Sequence, residues 1–192
     1  MKLFLFDFDG TIISKDSMLE FLKHLHNSYF IYLLLNFIYL PIHFLYLIKL
    51  IKKQKAKEIF LKIHFYNYNY SFLVEKSESF SKIILQFTYK EFDDFIKNID
   101  FNLNEICIVS ASLDIWMLNI AKNLNMKLIC TQSQVNNNSF IGINSNCYGI
   151  EKVNRIVKVY NIDNYDEVHV FGDSNGDSEM LKLGHRHYKF FN

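Results

Sequence analysis

Two carboxylates stand two residues apart at the end of an apolar run, in Lys2-Leu3-Phe4-Leu5-Phe6-Asp7-Phe8-Asp9-Gly10-Thr11. The continuous apolar stretch suits a strand buried on both faces of a parallel sheet. Alternate residues of an extended segment share a side, so Asp7 and Asp9 can face one site together. Gly10 lets the backbone turn sharply and approach a ligand. Adjacent like charges are costly unless something positive neutralises them. Mg²⁺ suits that task, since it favours a few carboxylates plus phosphate oxygens. Two later stretches repeat the pattern. Ile106-Cys107-Ile108-Val109 runs into Ser110, and Val168-His169-Val170-Phe171 runs into Gly172-Asp173-Ser174-Asn175-Gly176-Asp177. Ligands of open α/β sheets sit beyond the carboxyl ends of the strands. Asp7, Asp9, Ser110, Asp173 and Asp177 are therefore expected at one sheet edge, with a cation from Lys152 at the start of a helical pattern.

These four stretches, in this order, resemble the motifs of the haloacid dehalogenase superfamily of phosphatases. The segment Asn146-Cys147-Tyr148-Gly149-Ile150-Glu151-Lys152-Val153 is most similar to its phosphoserine-phosphatase-like branch, subfamily IB. The resemblance covers both ends of the chain but not residues 18–80. It implies Asp7 as a nucleophile that becomes an aspartyl phosphate, which splits one hard step into two. It implies Mg²⁺ as cofactor, held by Asp7, a backbone carbonyl near Asp9, Asp173 and Asp177. Lys152, the Ser110 hydroxyl and the backbone about Ala111 would hold phosphate, with Gly10 and Thr11 beside them and Ser174 in support. Asp9 decides the reaction type. An ester's alkoxide needs a proton on leaving and the incoming water must lose one, and a second aspartate can do both. A halide needs none, and the dehalogenases of the superfamily lack this residue. The expected activity is that of a phosphoric monoester hydrolase.

Strands alternating with helices read as an α/β fold, a parallel sheet with helices on both faces. The resembled family builds this as a Rossmann-like core with a helical, C1-type cap after the first strand. Residues 1–11 and 86–192 are expected to form the core and 12–85 the cap. Ser17 and Glu20 read as a capping box opening a helix to about His26. Helices are also expected over Phe80–Ile99, with a break near Glu91, and over Leu113–Asn125, Lys152–Tyr160 and Asp177–Leu183. Further strands are expected at Ile106–Val109, Lys127–Cys130 and His187–Phe190, and Asn136–Ser139 reads as a hairpin turn.

The most unusual stretch is Tyr29–Ile51, apolar almost throughout and near the roughly 20 residues that cross a bilayer. A single span would put Asp7 and Ser110 on opposite sides of it. Pro41 divides the stretch, so it reads as a helical hairpin of two short arms. One reading buries this hairpin in the cap or between two copies of the chain. The other dips it into the inner leaflet, where Lys49, Lys52, Lys53, Lys55 and Lys57 would meet anionic headgroups across residues 29–57. The tyrosines of Phe65–Phe72 fit either an interfacial belt or cap packing.

A chain of 192 residues with formal net charge +1 gives no bulk attraction to nucleic acid. Cys107, Cys130 and Cys147 lack metal spacing and read as small core residues, which fits a reducing cytoplasm. The seven histidines show no ligand spacing and read as structural. The start of the chain does not read as a signal peptide, because Asp7 and Asp9 interrupt its short apolar run. The expected location is the cytoplasm, or the cytoplasmic face of the membrane. The substrate is read as a phosphorylated lipid, similar to that of the phosphatidylglycerophosphate phosphatases, or as a small sugar, polyol or amino-alcohol phosphate. Phosphoserine fits less well, because phosphoserine phosphatases grip its carboxylate with a cap arginine. None occurs here between residues 12 and 154, and lysine lacks the bidentate fork. A non-catalytic binding protein on the same fold is the alternative of a different class.

Overall fold

The computed structural model describes residues 1–26 and 28–188, the side chains of 187 and 188 excepted. In chain order, β1 (Lys2–Phe6) is followed by five helices: α1 (Ser17–Leu25), α2 (Tyr29–Leu47), α3 (Lys53–Phe65), α4 (Tyr70–Ile84) and α5 (Lys90–Ile96). Then come β2 (Glu105–Leu113), α6 (Asp114–Asn123), β3 (Lys127–Thr131), β4 (Ser133–Asn136), β5 (Ser139–Ile143), α7 (Ile150–Val159), β6 (Glu167–Phe171), α8 (Ser178–Leu181) and β7 (Arg186–Tyr188). The main sheet runs β3-β2-β1-β6-β7, and each pairing is parallel. The α/β reading holds.

β1 shows why its sequence is apolar at every step. Phe4 and Phe6 belong to the core on one face, with Phe92 and Trp116, while Leu3 and Leu5 belong to the core on the other, with Val109, Ile156 and Val170. A strand covered on both sides has no face left for a polar residue. Phe6 stacks on Phe171 of β6 with ring centroids 4.3 Å apart and meets Phe92 of α5 edge-on at 5.4 Å. β1 lies centrally, so its carboxyl end opens between those of β2 and β6.

β4 and β5 form a separate antiparallel hairpin whose two-residue turn places Asn137 and Asn138 at positive φ, as a type I′ turn requires. Asn138 reaches α4, accepting from the Ser71 N–H at 3.0 Å. The three cysteines are buried and free.

Several sequence readings need correction. Residues 29–51 are not a hairpin bent at Pro41: α2 is one helix of 19 residues with Pro41 inside it. Proline removes one N–H from the ladder and crowds one carbonyl, and the apolar turns on either side carry the helix through. The reversal comes at Lys49, in the left-handed region at φ +61. Its N–H bonds to Tyr46 O at 2.9 Å and that of Leu50 to Leu45 O at 2.9 Å. That is the Schellman pattern, with lysine where glycine is usual. The chain then returns as α3 against α2, Tyr39 meeting Phe60 at 4.7 Å and Tyr32 meeting His64 at 5.7 Å. Nor is α2 buried within the chain: Tyr32 is its one buried residue, and Phe30 and Phe37 are 73% and 70% exposed.

Asp16, not Ser17, caps α1, accepting from the Leu19 N–H at 2.9 Å, because the Ser17 hydroxyl is turned inward to buried partners. The expected Phe80–Ile99 helix is the end of α4, a 3₁₀ turn at Leu85–Phe87 and α5, with the break at Thr88–Tyr89. β2 outruns Ile106–Val109 by continuing through the Ser110 segment with a register shift before Leu113. Of the His187–Phe190 strand, residues 187 and 188 lie in β7; residues 189 and 190 lie outside the described residues. Tyr68 is partly buried against the core, stacked on Phe72 at 5.3 Å and within 3.3 Å of His26 Nδ1, while Tyr66 is exposed.

Candidate active site

β1 ends at Phe6, and the next residue, Asp7, still joins the ladder through its N–H to Phe171 O at 2.9 Å. Its carboxylate is buried at the centre of the sheet edge. Gly10 turns the chain away at φ +79, and a Cβ there would lie 2.4 Å from Asp173 Oδ2. The loop after β6 is packed as closely: a Cβ on Gly172 would lie 2.6 Å from that of Asp177. Side chains at either position would push these carboxylates out of the cluster.

Lys152, third residue of α7, is 2% exposed. Its ammonium donates to Asp7 Oδ1 at 2.6 Å, Asp177 Oδ1 at 2.6 Å and Val109 O at 2.8 Å, so its three N–H bonds are all used. Burial works against its charge, but the two carboxylates outweigh burial and hold its pKa above the ordinary lysine range. Asp7 is pushed up to about 7, first by burial, with Lys152 pulling it down and Asp177 pushing it up. Two carboxylates share one ammonium here, and Asp7 is a group whose charge burial resists. Asp177 Oδ2 accepts from the N–H and hydroxyl of Ser174, at 3.0 and 2.7 Å.

Ligand oxygens of Asp7, Asp173 and Asp177 lie within 4.8 Å of one another. Three carboxylates against one lysine leave an excess of negative charge, and burial raises the pKa of Asp173 as well, with Asp177 adding to it. An all-oxygen donor set with surplus negative charge fits a hard divalent cation. The Asp9 side chain is not in this cluster. It accepts from the Ser17 N–H at 2.8 Å and the Ser112 hydroxyl at 2.7 Å, and burial followed by the nearby charge of Asp16 pushes it up to about 6. Its hydrogen-bond chain has a fixed direction. Trp116 Nε1 can only donate and does so to Ser17 Oγ at 3.1 Å; Ser17 Oγ lies 2.9 Å from Ser112 Oγ; Ser112 donates to Asp9. Every proton in the chain therefore points toward the carboxylate.

A cavity of about 270 Å³ opens over these groups, and Asp7, Asp9, Ser110, Ala111, Lys152, Ser174 and Asp177 all line it. Thr11 does not: it is buried beneath, where its hydroxyl donates to Asp173 Oδ1 at 3.3 Å. Thr11 and Gly10 thus support a carboxylate rather than meeting a substrate. The Ser110 hydroxyl accepts from the Ser112 N–H at 3.0 Å.

The cavity wall also holds residues that the sequence reading missed, among them Ser112, Asn146, Tyr148, Lys53 and Lys57. Ser112 follows Ser110 by two and so shares its side of an extended strand. Lys53 and Lys57 are four apart on α3 and so share a helix face; only their place in a run of lysines hid them. Lys57 Nζ donates to Ala111 O at 2.6 Å and Asn146 Oδ1 at 3.0 Å, which ties α3 to the core with no carboxylate partner in hydrogen-bond range among the described residues. Burial lowers its pKa to about 8, against the charges of Asp9 and Asp16. Lys53 Nζ lies 3.7 Å above the Tyr148 ring.

The fold is similar to that of several solved structures. A protein of unknown function from Bordetella pertussis Tohama I superposes with a TM-score of 0.82 at 18% identity, over 97% of this chain and 88% of that one. A phosphoserine phosphohydrolase-like protein from Francisella tularensis gives 0.64 at 20%, over 97% and 84%. A phosphoserine phosphatase captured as a phospho-aspartyl intermediate analogue gives 0.59 at 19%, over 97% and 84%. A search of the curated proteins finds no match. The model of the haloacid dehalogenase-like hydrolases matches residues 4–182, from β1 through α8 with the carboxylate cluster inside it, and the chain belongs to that family.

Proposed function

We propose that this hydrolase is a Mg²⁺-dependent phosphatase that cleaves a phosphate monoester through an aspartyl phosphate on Asp7, and that its substrate is borne by a lipid. The observation that carries the chemistry is the meeting of a buried nucleophile, its lysine and two late aspartates at one sheet edge, with a second aspartate two residues on. An Asp7 oxygen attacks phosphorus, and the bond from phosphorus to the ester oxygen breaks. Asp9, with its pKa near 6, gives the departing alcohol a proton and later takes one from the attacking water. That water releases inorganic phosphate and restores Asp7. Lys152 offsets the charge of the cluster and fixes the Asp7 rotamer, while Ser110 and the backbone about Ala111 offer donors to phosphate oxygens. Asp7, Asp173 and Asp177, with the Asp9 carbonyl, would hold the cation, which when bound offsets negative charge on the phosphoryl oxygens.

The lipid reading is supported by α2. Its large apolar side chains are exposed along one stripe, Phe30, Leu33, Phe37, Leu40, Phe44 and Leu47, and beside it at Ile31, Leu34 and Ile38. Lys49, Lys52, Lys53 and Lys55 follow at once. Side chains along α2 pack on α3, whose other residues are largely polar, so a spanning α2 would draw charged side chains into the bilayer. α2 instead lies along the cytoplasmic surface as an apolar helix flanked by lysines. Phosphoserine is disfavoured because the cap cations at the cavity are Lys53 and Lys57 and not arginine.

The test is a panel of lipid and soluble phosphate monoesters with Mg²⁺, run beside Asp7→Asn. Turnover lost in that variant, and strongest on a lipid phosphate, is expected. Binding without turnover by any divalent ion would instead mark a non-catalytic protein. Co-sedimentation with anionic liposomes tests the surface pose; a soluble dimer that ignores liposomes would overturn it.

A further inference from the structure

A second cavity, of about 420 Å³, lies between α1, α2 and α3. Its walls include Leu19 of α1, Tyr39 and Leu40 of α2, and Ala56 and Phe60 of α3, with Asn36 and His43 of α2 as the polar members. Its volume is within the range of small-ligand sites. Met18, Lys53 and Lys57 line both this cavity and the catalytic one, so the two adjoin. One end therefore holds carboxylates and a lysine, the junction holds two cationic side chains, and the other end is apolar and borders the exposed helix. That gradient matches a molecule with a phosphate head and a hydrocarbon tail.

We infer that the cavity between α1, α2 and α3 is the seat of the substrate's apolar tail, with Lys53 and Lys57 beside the phosphate end where head and tail join. The inference deepens the proposed function and rests on it for the identity of the head site. It explains why α2 keeps an apolar inner side as well as an apolar outer one. Tyr39 on the inner side walls the tail and Leu40 stands at the cavity's exposed rim, while residues such as Phe30 and Phe37 face away from the core. It also accounts for a cap without arginine, since an acyl or alkyl tail needs no bidentate partner.

The experiment is a calorimetric titration of the full chain, with Mg²⁺, by ethyl-, butyl-, hexyl- and octylphosphonate below their aggregation concentrations and without membranes. These probes cannot be hydrolysed, so the result does not depend on turnover. Kd should fall by about twofold to fourfold for each added methylene until the cavity is full. Ala56→Trp fills the cavity and should flatten that dependence. Leu40→Lys puts a charge there from a position 53% exposed, where folding is not at stake, and should flatten it too. A Kd independent of chain length overturns the inference, as does a dependence unchanged in Leu40→Lys. If the dependence is found but octyl phosphate is never cleaved, the tail site stands and the phosphatase reading falls.

Discussion

Replacing Lys152 by methionine removes the cation that Asp7 and Asp177 share, at nearly constant side-chain volume. Both of its ion pairs are 2.6 Å long, and the side chain is 2% exposed. At 4.8 Å, the outer separation of the clustered ligand oxygens, two like charges repel by about 3.5 kcal/mol at an effective dielectric of 20, a repulsion that protonation of Asp7, with its pKa near 7, relieves in part. Removing one partner of a buried ion pair costs about 3–5 kcal/mol in other proteins, which agrees. For a chain of this size each kcal/mol lowers the melting temperature by about 2–4 °C, so a loss of about 6–20 °C is expected without metal. The same surplus of negative charge should make Mg²⁺ a stronger stabiliser of Lys152→Met than of the parent. The assay is thermal unfolding by circular dichroism, with chelator and then with rising Mg²⁺. A variant as stable as the parent in chelator would refute the reasoning, because the carboxylates would then not need their lysine.

Three further outcomes are expected. Ser112→Ala removes the donor at 2.7 Å from Asp9 and leaves the Ser17 hydroxyl without its acceptor; kcat should fall about tenfold or more with a smaller change in KM, and an unchanged kcat would exclude a positioning role for the Trp116 relay. Lys57 has a folded pKa near 8, below its unfolded 10.5, so it is a cation below pH 8 and neutral above. Affinity for inorganic phosphate should therefore weaken as pH rises through 8, with Lys57→Met abolishing that limb of a binding profile. His64 is held neutral by burial to about pH 4 against an ordinary 6.5, so the unfolded chain takes up its proton first. Stability should be full above pH 6.5 and fall as pH drops toward 4, and His64→Phe should remove part of that slope in urea titrations at pH 7 and pH 4.5.

The chain itself determined the sheet and the chemical types at its edge. A strand buried on both faces must be apolar at every position, and the polar residues that end such a strand must lie at the edge, so Asp7, Ser110 and Asp173 were legible without coordinates. Tertiary structure alone decided what each group does there. Thr11 reads like a phosphate ligand, yet its hydroxyl is spent on Asp173 because the Gly10 turn brings the two loops together. Ser17 reads like a helix cap, yet it serves Asp9 through Ser112, a partner 95 residues away that no local pattern announces. Pro41 reads like a corner, but the reversal is at Lys49, because one missing N–H is a local cost that the remaining helical hydrogen bonds and the contacts of Tyr32 and Tyr39 with α3 outweigh. Local spacing fixes which residues share a face; which faces meet depends on how non-local segments pack, and that was written only in the folded chain.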